Sequence, residues 1–311
     1  MDTQIKPGEN KVFFQSDGMK LAGLLFVPPD YREGEKRPAI VVTRPASGVK
    51  EQTAGLYAQK FSQTGFVTLA FDPKGYGESE GRPQVEDCFS IISDTKNAVT
   101  YLQSLPQVDP NKVFNAGICY GAGYASTAGA EDDRIKGTAI ISPALSNHIE
   151  YPKSFGGRFI LRAFLTIMKP VVFLLGLIGI ELYFPLAPIK GYQKLFARMP
   201  LLVAALQYYG PGKPGDHGNW KNRVNIFKGE VPALDYNPFE WTAKFQNKAF
   251  FMAYADGGQR PDMLQKFYDE IHVDDKELLV FENATHFDLY YKPQFVDPVV
   301  EKVSALFKKH Q

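Results

Sequence analysis

Gly117-Ile118-Cys119-Tyr120-Gly121 stands between two segments of opposite character. Upstream, Lys112-Val113-Phe114-Asn115-Ala116 reads as a short buried strand. Downstream, Ala122 to Gly129 is a run of small residues, the composition of a tightly packed helix. Strand, sharp turn and helix form the setting of the nucleophile elbow G-x-S-x-G, here with cysteine in the serine place. The glycines have a steric reason, because a Cβ at either flanking position would strike the neighbouring strand or helix. Such a turn lifts Cys119 above the sheet edge and aims a helix N-terminus at its sulfur, which predicts a lowered thiol pKa. An isolated free cysteine is more often a small buried hydrophobe. The weight of the assignment therefore rests on where Cys119 falls along the chain.

Length and composition narrow the field. The 311 residues suit one large α/β domain with an insertion, or two domains. With 35 Lys+Arg against 34 Asp+Glu, the net charge is +1, and no basic run with interleaved aromatics marks a nucleic-acid surface. Two cysteines argue against a disulfide scaffold, and Cys88, at the start of an expected helix, reads as structural. Met1 to Asn10 is polar and carries no apolar signal core, which leads to the expectation of a cytoplasmic protein. Asn283-Ala284-Thr285 matches a glycosylation sequon, read without such a signal as accidental.

Outward from the elbow, the chain alternates. Lys11–Phe14 and Lys20–Val27 flank Ser16-Asp17-Gly18 as a hairpin. Ala39–Thr43 is a short apolar run of the kind buried on both faces of a parallel sheet. A helix is expected over Glu51–Thr64, a strand over Phe66–Phe71, and a turn-rich loop over Asp72–Gly81. Asp87–Ser104 is amphipathic, with Phe89, Ile92, Val99 and Leu102 on its apolar side, and Ile135–Ile141 is another strand. The pattern resumes with strands at Ala249–Ala255 and Glu277–Phe281 and helices at Asp262–Ile271 and Pro298–Lys309. This predicts a doubly wound, mostly parallel sheet. Residues 1–143 and 247–311 would form its two halves, and 144–246 an inserted helical cap rich in Phe, Leu and Ile. The unbroken apolar part of that cap, Pro170–Ile180, is too short to cross a bilayer, which takes about 20 residues.

Triads built on a nucleophile elbow run nucleophile, acid, base along the chain. Of the five histidines, only His286 sits in a loop directly after a last strand. It is the expected base. Asp256, ending the strand Phe250–Ala255, is the expected acid, with Asp262 and Asp288 as competitors. The expected oxyanion donors are the backbone N–H groups of Tyr120 and Ala46, since Pro45 has none.

Cys119 with its flanks, Asp132-Asp133-Arg134-Ile135-Lys136 and His286-Phe287-Asp288-Leu289-Tyr290 resemble α/β-hydrolases of the dienelactone-hydrolase and YcjY-like group. Val49-Lys50-Glu51-Gln52, Tyr57-Ala58 and Phe71-Asp72 are similar to that group as well. The likeness spans both halves of the core and leaves out the insertion. It implies the α/β-hydrolase fold and, through fungal polyketide transferases in the group, movement of an acyl chain from a carrier-protein thioester. Two features depart from the pattern. Arg44-Pro45-Ala46-Ser47 replaces a glycine-rich turn, and Asp256 directly follows Ala255 instead of lying further into the loop.

The expected chemistry is acyl transfer or hydrolysis of a thioester or ester through a Cys119 acyl-enzyme. The substrate is a small acyl molecule, free or on a carrier protein, and no cofactor or metal is called for. A weak membrane contact through the cap and a homodimer are the further associations this reading allows. Two other classes stay open: a lyase, isomerase or cyclase that uses His286 as base without a covalent intermediate, and a non-catalytic ligand-binding relic.

Overall fold

Asp17 and Gly18 both have positive φ, 48° and 78°, and close a two-residue hairpin between β1 (Gly8–Ser16) and β2 (Met19–Val27). Positive φ at both central residues gives a turn the twist of its strands, so the pair forms locally. A computed structural model describes residues 5–145, 158–183, 185, 200–225, 236–258 and 260–310. The remaining strands are β3 (Arg37–Thr43), β4 (Val67–Phe71), β5 (Val108–Ile118), β6 (Ile135–Ile141), β7 (Ala249–Ala255) and β8 (Lys276–Phe281). They form one sheet in the order β1-β2-β4-β3-β5-β6-β7-β8. β2 runs antiparallel to β1 and β4, and the other pairings are parallel.

Alternation along the strands sorts side chains to two faces. Ile40, Val42, Phe114 and Ala116 pack on one side with α1 (Thr53–Gln63) and α8 (Pro293–Lys308), through Tyr57, Phe61, Val303 and Phe307. Ala39, Val41, Leu69 and Val113 face the other side, against α2 (Cys88–Ser104) and α3 (Tyr120–Glu131). Helices on both faces explain why β4 and β7 are buried along their whole length. Asp87 caps α2, its carboxylate accepting from Ser90 N at 3.1 Å. The apolar side of α2 is Ile91, Ile92, Ala98, Val99 and Leu102; Phe89, expected there, is 48% exposed.

Between β6 and β7 the described elements are helical: α4 (Arg158–Leu177), α5 (Pro200–Tyr209) and a 3₁₀ turn at Pro238–Lys244. α6 (Pro261–Glu270) links β7 to β8, and a short α7 (Asp288–Tyr291) precedes α8. His148 and parts of the expected cap lie outside the described residues. Among the described residues, no helix is long and apolar enough to cross a membrane. α4 buries Leu165 and Val172 yet leaves Ile160, Phe164, Ile167, Phe173, Leu174 and Leu177 exposed.

Candidate active site

Cys119 caps α3 with φ 59° and ψ −119°, a conformation that costs an L-residue of order 1–3 kcal/mol. Neighbouring backbone holds it there. Cys119 N donates to Ile141 O and Ala144 N to Cys119 O, each at 3.1 Å, so the elbow is clasped to the end of β6. A Cβ on Gly117 would enter the backbone of Gly121, and one on Gly121 would meet the carbonyls of Arg44 and Thr43. The small residues around Cys119 thus let strand, helix and the loop after β3 approach at backbone contact.

That loop carries Ala46. It makes a β-turn, closed by Gly48 N on Pro45 O at 2.9 Å, with Ser47 at φ 53°. Two buried ion pairs fasten it. Arg44 Nη1 lies 2.8 and 3.0 Å from the Glu86 carboxylate, and its guanidinium stacks on Tyr76, 4.1 Å from the ring centre. Glu86 also accepts from Ser47 N at 3.2 Å and Tyr76 Oη at 2.8 Å. At the other end, Asp72 accepts from Lys50 N and Lys50 Nζ, both at 2.8 Å. The N–H groups of Ala46 and Tyr120 consequently converge, as fixed donors, on the Cys119 sulfur. Donors held in place before reaction are what stabilise charge developing on a carbonyl oxygen.

His286 lies in the turn after β8, 2% exposed. Its Nδ1 is 2.9 Å from Ser142 Oγ, and Ser142 Oγ donates to the His286 carbonyl at 2.8 Å. With its own proton committed, Ser142 accepts from Nδ1–H, which leaves Nε2 unprotonated. Nε2 in turn faces the Tyr290 hydroxyl at 3.1 Å. The same hydroxyl interacts with Cys119, and with its proton turned to Nε2 its oxygen is left to accept from the thiol. The site is therefore a chain, Cys119–Tyr290–His286–Ser142. Aromatic rings from α5 roof it: Tyr208 lies against Tyr290 at 5.1 Å, and Tyr209 stacks on Trp220 at 4.8 Å and meets Phe287 at 6.0 Å.

The fold as a whole agrees with known proteins. Residues 46–183 match the serine aminopeptidase S33 family of hydrolases. The whole chain superposes on the crystal structure of the hypothetical protein PA2218 of Pseudomonas aeruginosa with a TM-score of 0.85 at 26% identity, covering 100% of this chain and 96% of that one. The chain has the α/β-hydrolase fold. Among curated relatives, the uncharacterized protein YcjY of Escherichia coli is 40% identical over 137 residues, 43% of this chain and 45% of YcjY. The polyketide transferase claH of Penicillium crustosum is 36% identical over 148 residues, 47% of this chain and 48% of claH. Other relatives carry the names thiohydrolase and acyltransferase. The matched stretch spans about half the length of these two relatives.

The site departs from the sequence expectations in two respects. Asp256 does not meet the imidazole. It is exposed, and its Oδ1 accepts from Gly257 N at 2.7 Å and Ala284 N at 3.4 Å. The reason is sheet parity. Asp256 N still pairs with Phe281 O at 3.0 Å, so the residue continues the ladder. Ala253 and Ala255 point to the cluster holding Cys119 and Tyr290, while Tyr254 points to the cluster of Met263 and Phe267. Asp256 shares the parity of Tyr254. The competitors do not reach the ring either: Asp262 pairs with Arg260 at 2.9 Å, and Asp288 accepts from Thr285 N at 2.7 Å and pairs with Lys292. Nδ1 belongs instead to Ser142, at the end of β6.

The second departure is electrostatic. Cys119 is 8% exposed, and burial pushes its thiol up to about 11 despite the opposing effect of the Tyr290 hydroxyl and the N–H groups of Tyr120 and Ala46. Burial holds the His286 imidazole down, at about 4. Both partners are thus neutral at rest, and the helix N-terminus does not outweigh desolvation. Cys88, fully buried at the start of α2, is pushed up to about 12 by burial, in keeping with a structural role. Sequence reasoning missed Tyr290 and Ser142. The spacing of His286 and Tyr290, four residues apart in one turn, was the available signal for the first.

Proposed function

We propose that the chain forms an acyl-enzyme on Cys119, taking the acyl group from a thioester or ester with an apolar chain. It then passes that group to water or to another acceptor, as a thioesterase or acyltransferase. The observation that carries this reading is the convergence of the Ala46 and Tyr120 N–H groups on a sulfur raised at the start of α3. A thiolate attacking a thioester exchanges like for like, so the acyl-enzyme lies near its substrate in free energy. Relatives named thiohydrolase, polyketide transferase and acyltransferase support the same class.

Residues 144–246 act in this reading as the lid. Tyr208 and Tyr209 close over the site and must shift to admit substrate. Apolar side chains of the lid would then exclude water and hold the acyl chain, each buried methylene contributing about 0.8 kcal/mol. A carrier protein could present that chain at the lid. The exposed apolar side of α4 is where a peripheral membrane contact or a second copy would sit. A second reading draws on the neutral resting site: Tyr290 and His286 could move a substrate proton without a covalent step, as in a lyase, isomerase or cyclase.

Intact-protein mass spectrometry after incubation with a panel of acyl thioesters separates the two. An acyl increment, mapped to Cys119 and absent from Cys119→Ala, is the expected result. Turnover retained in Cys119→Ala but lost in His286→Ala would support the non-covalent reading instead.

A further inference from the structure

We propose that the Tyr290 hydroxyl is a catalytic proton relay, carrying the Cys119 proton to His286 and back. The proposal rests on the reading of Cys119 as nucleophile. Its geometric basis is that the imidazole makes its two ring hydrogen bonds to Ser142 and Tyr290, not to the sulfur. Tyr290 stands 3.1 Å from Nε2 and also interacts with Cys119, so it is the group set between them.

The hydroxyl is built into place. Thr53 Oγ1 donates to the Tyr290 carbonyl at 2.6 Å, and Tyr57 Oη to the Leu289 carbonyl at 2.8 Å, which fixes the backbone of the turn to α1. The ring is 1% exposed and lies between Tyr208 at 5.1 Å, Phe287 at 4.8 Å and the imidazole at 5.3 Å. Ser142 completes the polarity. Because its hydroxyl proton goes to the His286 carbonyl, Nδ1 keeps a proton and Nε2 presents a lone pair to Tyr290.

The relay balances. As the sulfur attacks the substrate carbonyl, the Cys119 proton passes to the Tyr290 oxygen and the Tyr290 proton passes to Nε2. A carbon–sulfur bond forms, and the carbonyl π pair moves to the oxygen between Tyr120 N and Ala46 N. On collapse, the bond to the leaving thiolate or alkoxide breaks. His286 returns its proton through Tyr290 to that leaving group. Tyr290 is a phenol before and after, and nothing is oxidised or reduced. Burial disfavours both the thiolate and the imidazolium, so the charge separates only when the developing oxyanion can share it.

Tyr290→Phe keeps the ring and removes the hydroxyl. Two rates at Cys119 are followed against pH: acylation by the N-acetylcysteamine thioester of octanoic acid, and alkylation by iodoacetamide. The relay requires roughly a hundredfold slower acylation with KM unchanged. It also requires that Tyr290→Phe with His286→Ala be no slower than either single variant, because the two act as one unit. A curved proton inventory in the wild type should become linear in Tyr290→Phe. Wild-type acylation rates in Tyr290→Phe, or losses that multiply in the double variant, would overturn the relay. If the wild type gains no acyl mass, the proposed function fails. Alkylation, which needs no substrate, still decides the relay: it stands if Tyr290→Phe slows alkylation below pH 9 and falls if the two pH profiles coincide. Thermal unfolding checks that Tyr290→Phe is folded. Were it not, Ser142→Ala gives the same alkylation test through the freed tautomer, with an unchanged profile counting against the relay.

Discussion

Ser142 Oγ lies 2.9 Å from Nδ1 of His286 while donating to the carbonyl of the same histidine at 2.8 Å. A neutral hydroxyl thus orients the imidazole where a carboxylate was expected. It can fix a tautomer, but it supplies no negative charge to stabilise an imidazolium. A site so built keeps its proton on sulfur until substrate arrives.

Ser142→Ala should release that tautomer. The ring loses the acceptor for Nδ1–H, and the Nε2–H form, unable to accept from Tyr290, becomes populated. Turnover should fall by about fivefold, in line with the ~1 kcal/mol net worth of a neutral hydrogen bond. Nitrogen-15 chemical shifts of His286 would read the change of tautomer directly; an unaltered Nδ1–H signal would count against this assignment.

Asp256→Asn should leave turnover close to wild type. In serine-protease triads, the corresponding change costs about 10⁴-fold, because that carboxylate holds the tautomer. Here the carboxylate is exposed and serves the backbone of Gly257 and Ala284. Steady-state kinetics of the single variant decide the matter, a loss of several orders of magnitude restoring Asp256 to the site.

Acid should destabilise the fold through His286. Its pKa is about 4 in the folded chain against an ordinary 6.5, so between those values the unfolded chain binds the proton and the folded one does not. This contribution is full above pH 6.5 and is lost as pH falls toward 4, amounting to roughly 3 kcal/mol. Urea midpoints measured at pH 7 and pH 4.5 should separate more in the wild type than in His286→Gln. Cys119 acts at the other end: its thiol is raised, so its contribution holds below pH 9 and fades toward pH 11.

Glu86→Ala should strike both stability and rate. It strips the counter-charge from the buried Arg44 and the acceptor from Ser47 N and Tyr76. Breaking a buried pair by removing one partner costs about 3–5 kcal/mol. The turn carrying Ala46 would loosen as well, lowering kcat more than it raises KM. Replacing Arg44 together with Glu86 by leucine should recover much of the melting temperature and none of the lost kcat.

The sheet was open to reading from local pattern. The apolar runs at Ile135–Ile141 and Ala249–Ala255 coincide with β6 and β7, because a strand covered on both faces admits little else. The elbow was equally legible, since small residues at Gly117 and Gly121 answer to backbone contacts that no other side chain fits. For Asp256, which lies away from the imidazole, the available rule was parity: one more step of alternation from Ala255 turns its side chain to the far face.

By itself, then, the sequence determined the alternating architecture, the raised cysteine and the late histidine, all of which depend on neighbours in the chain. Only the tertiary structure decided how that cysteine and histidine are joined. Ser142 leaves β6 and His286 follows β8, and they meet because β7 alone separates those strands in the sheet. It also decided the charge state, for the desolvation that keeps Cys119 and His286 neutral comes from the surrounding packing, to which the distant α5 contributes Tyr208 and Tyr209. Burial is a sum over distant segments, and no local spacing encodes it.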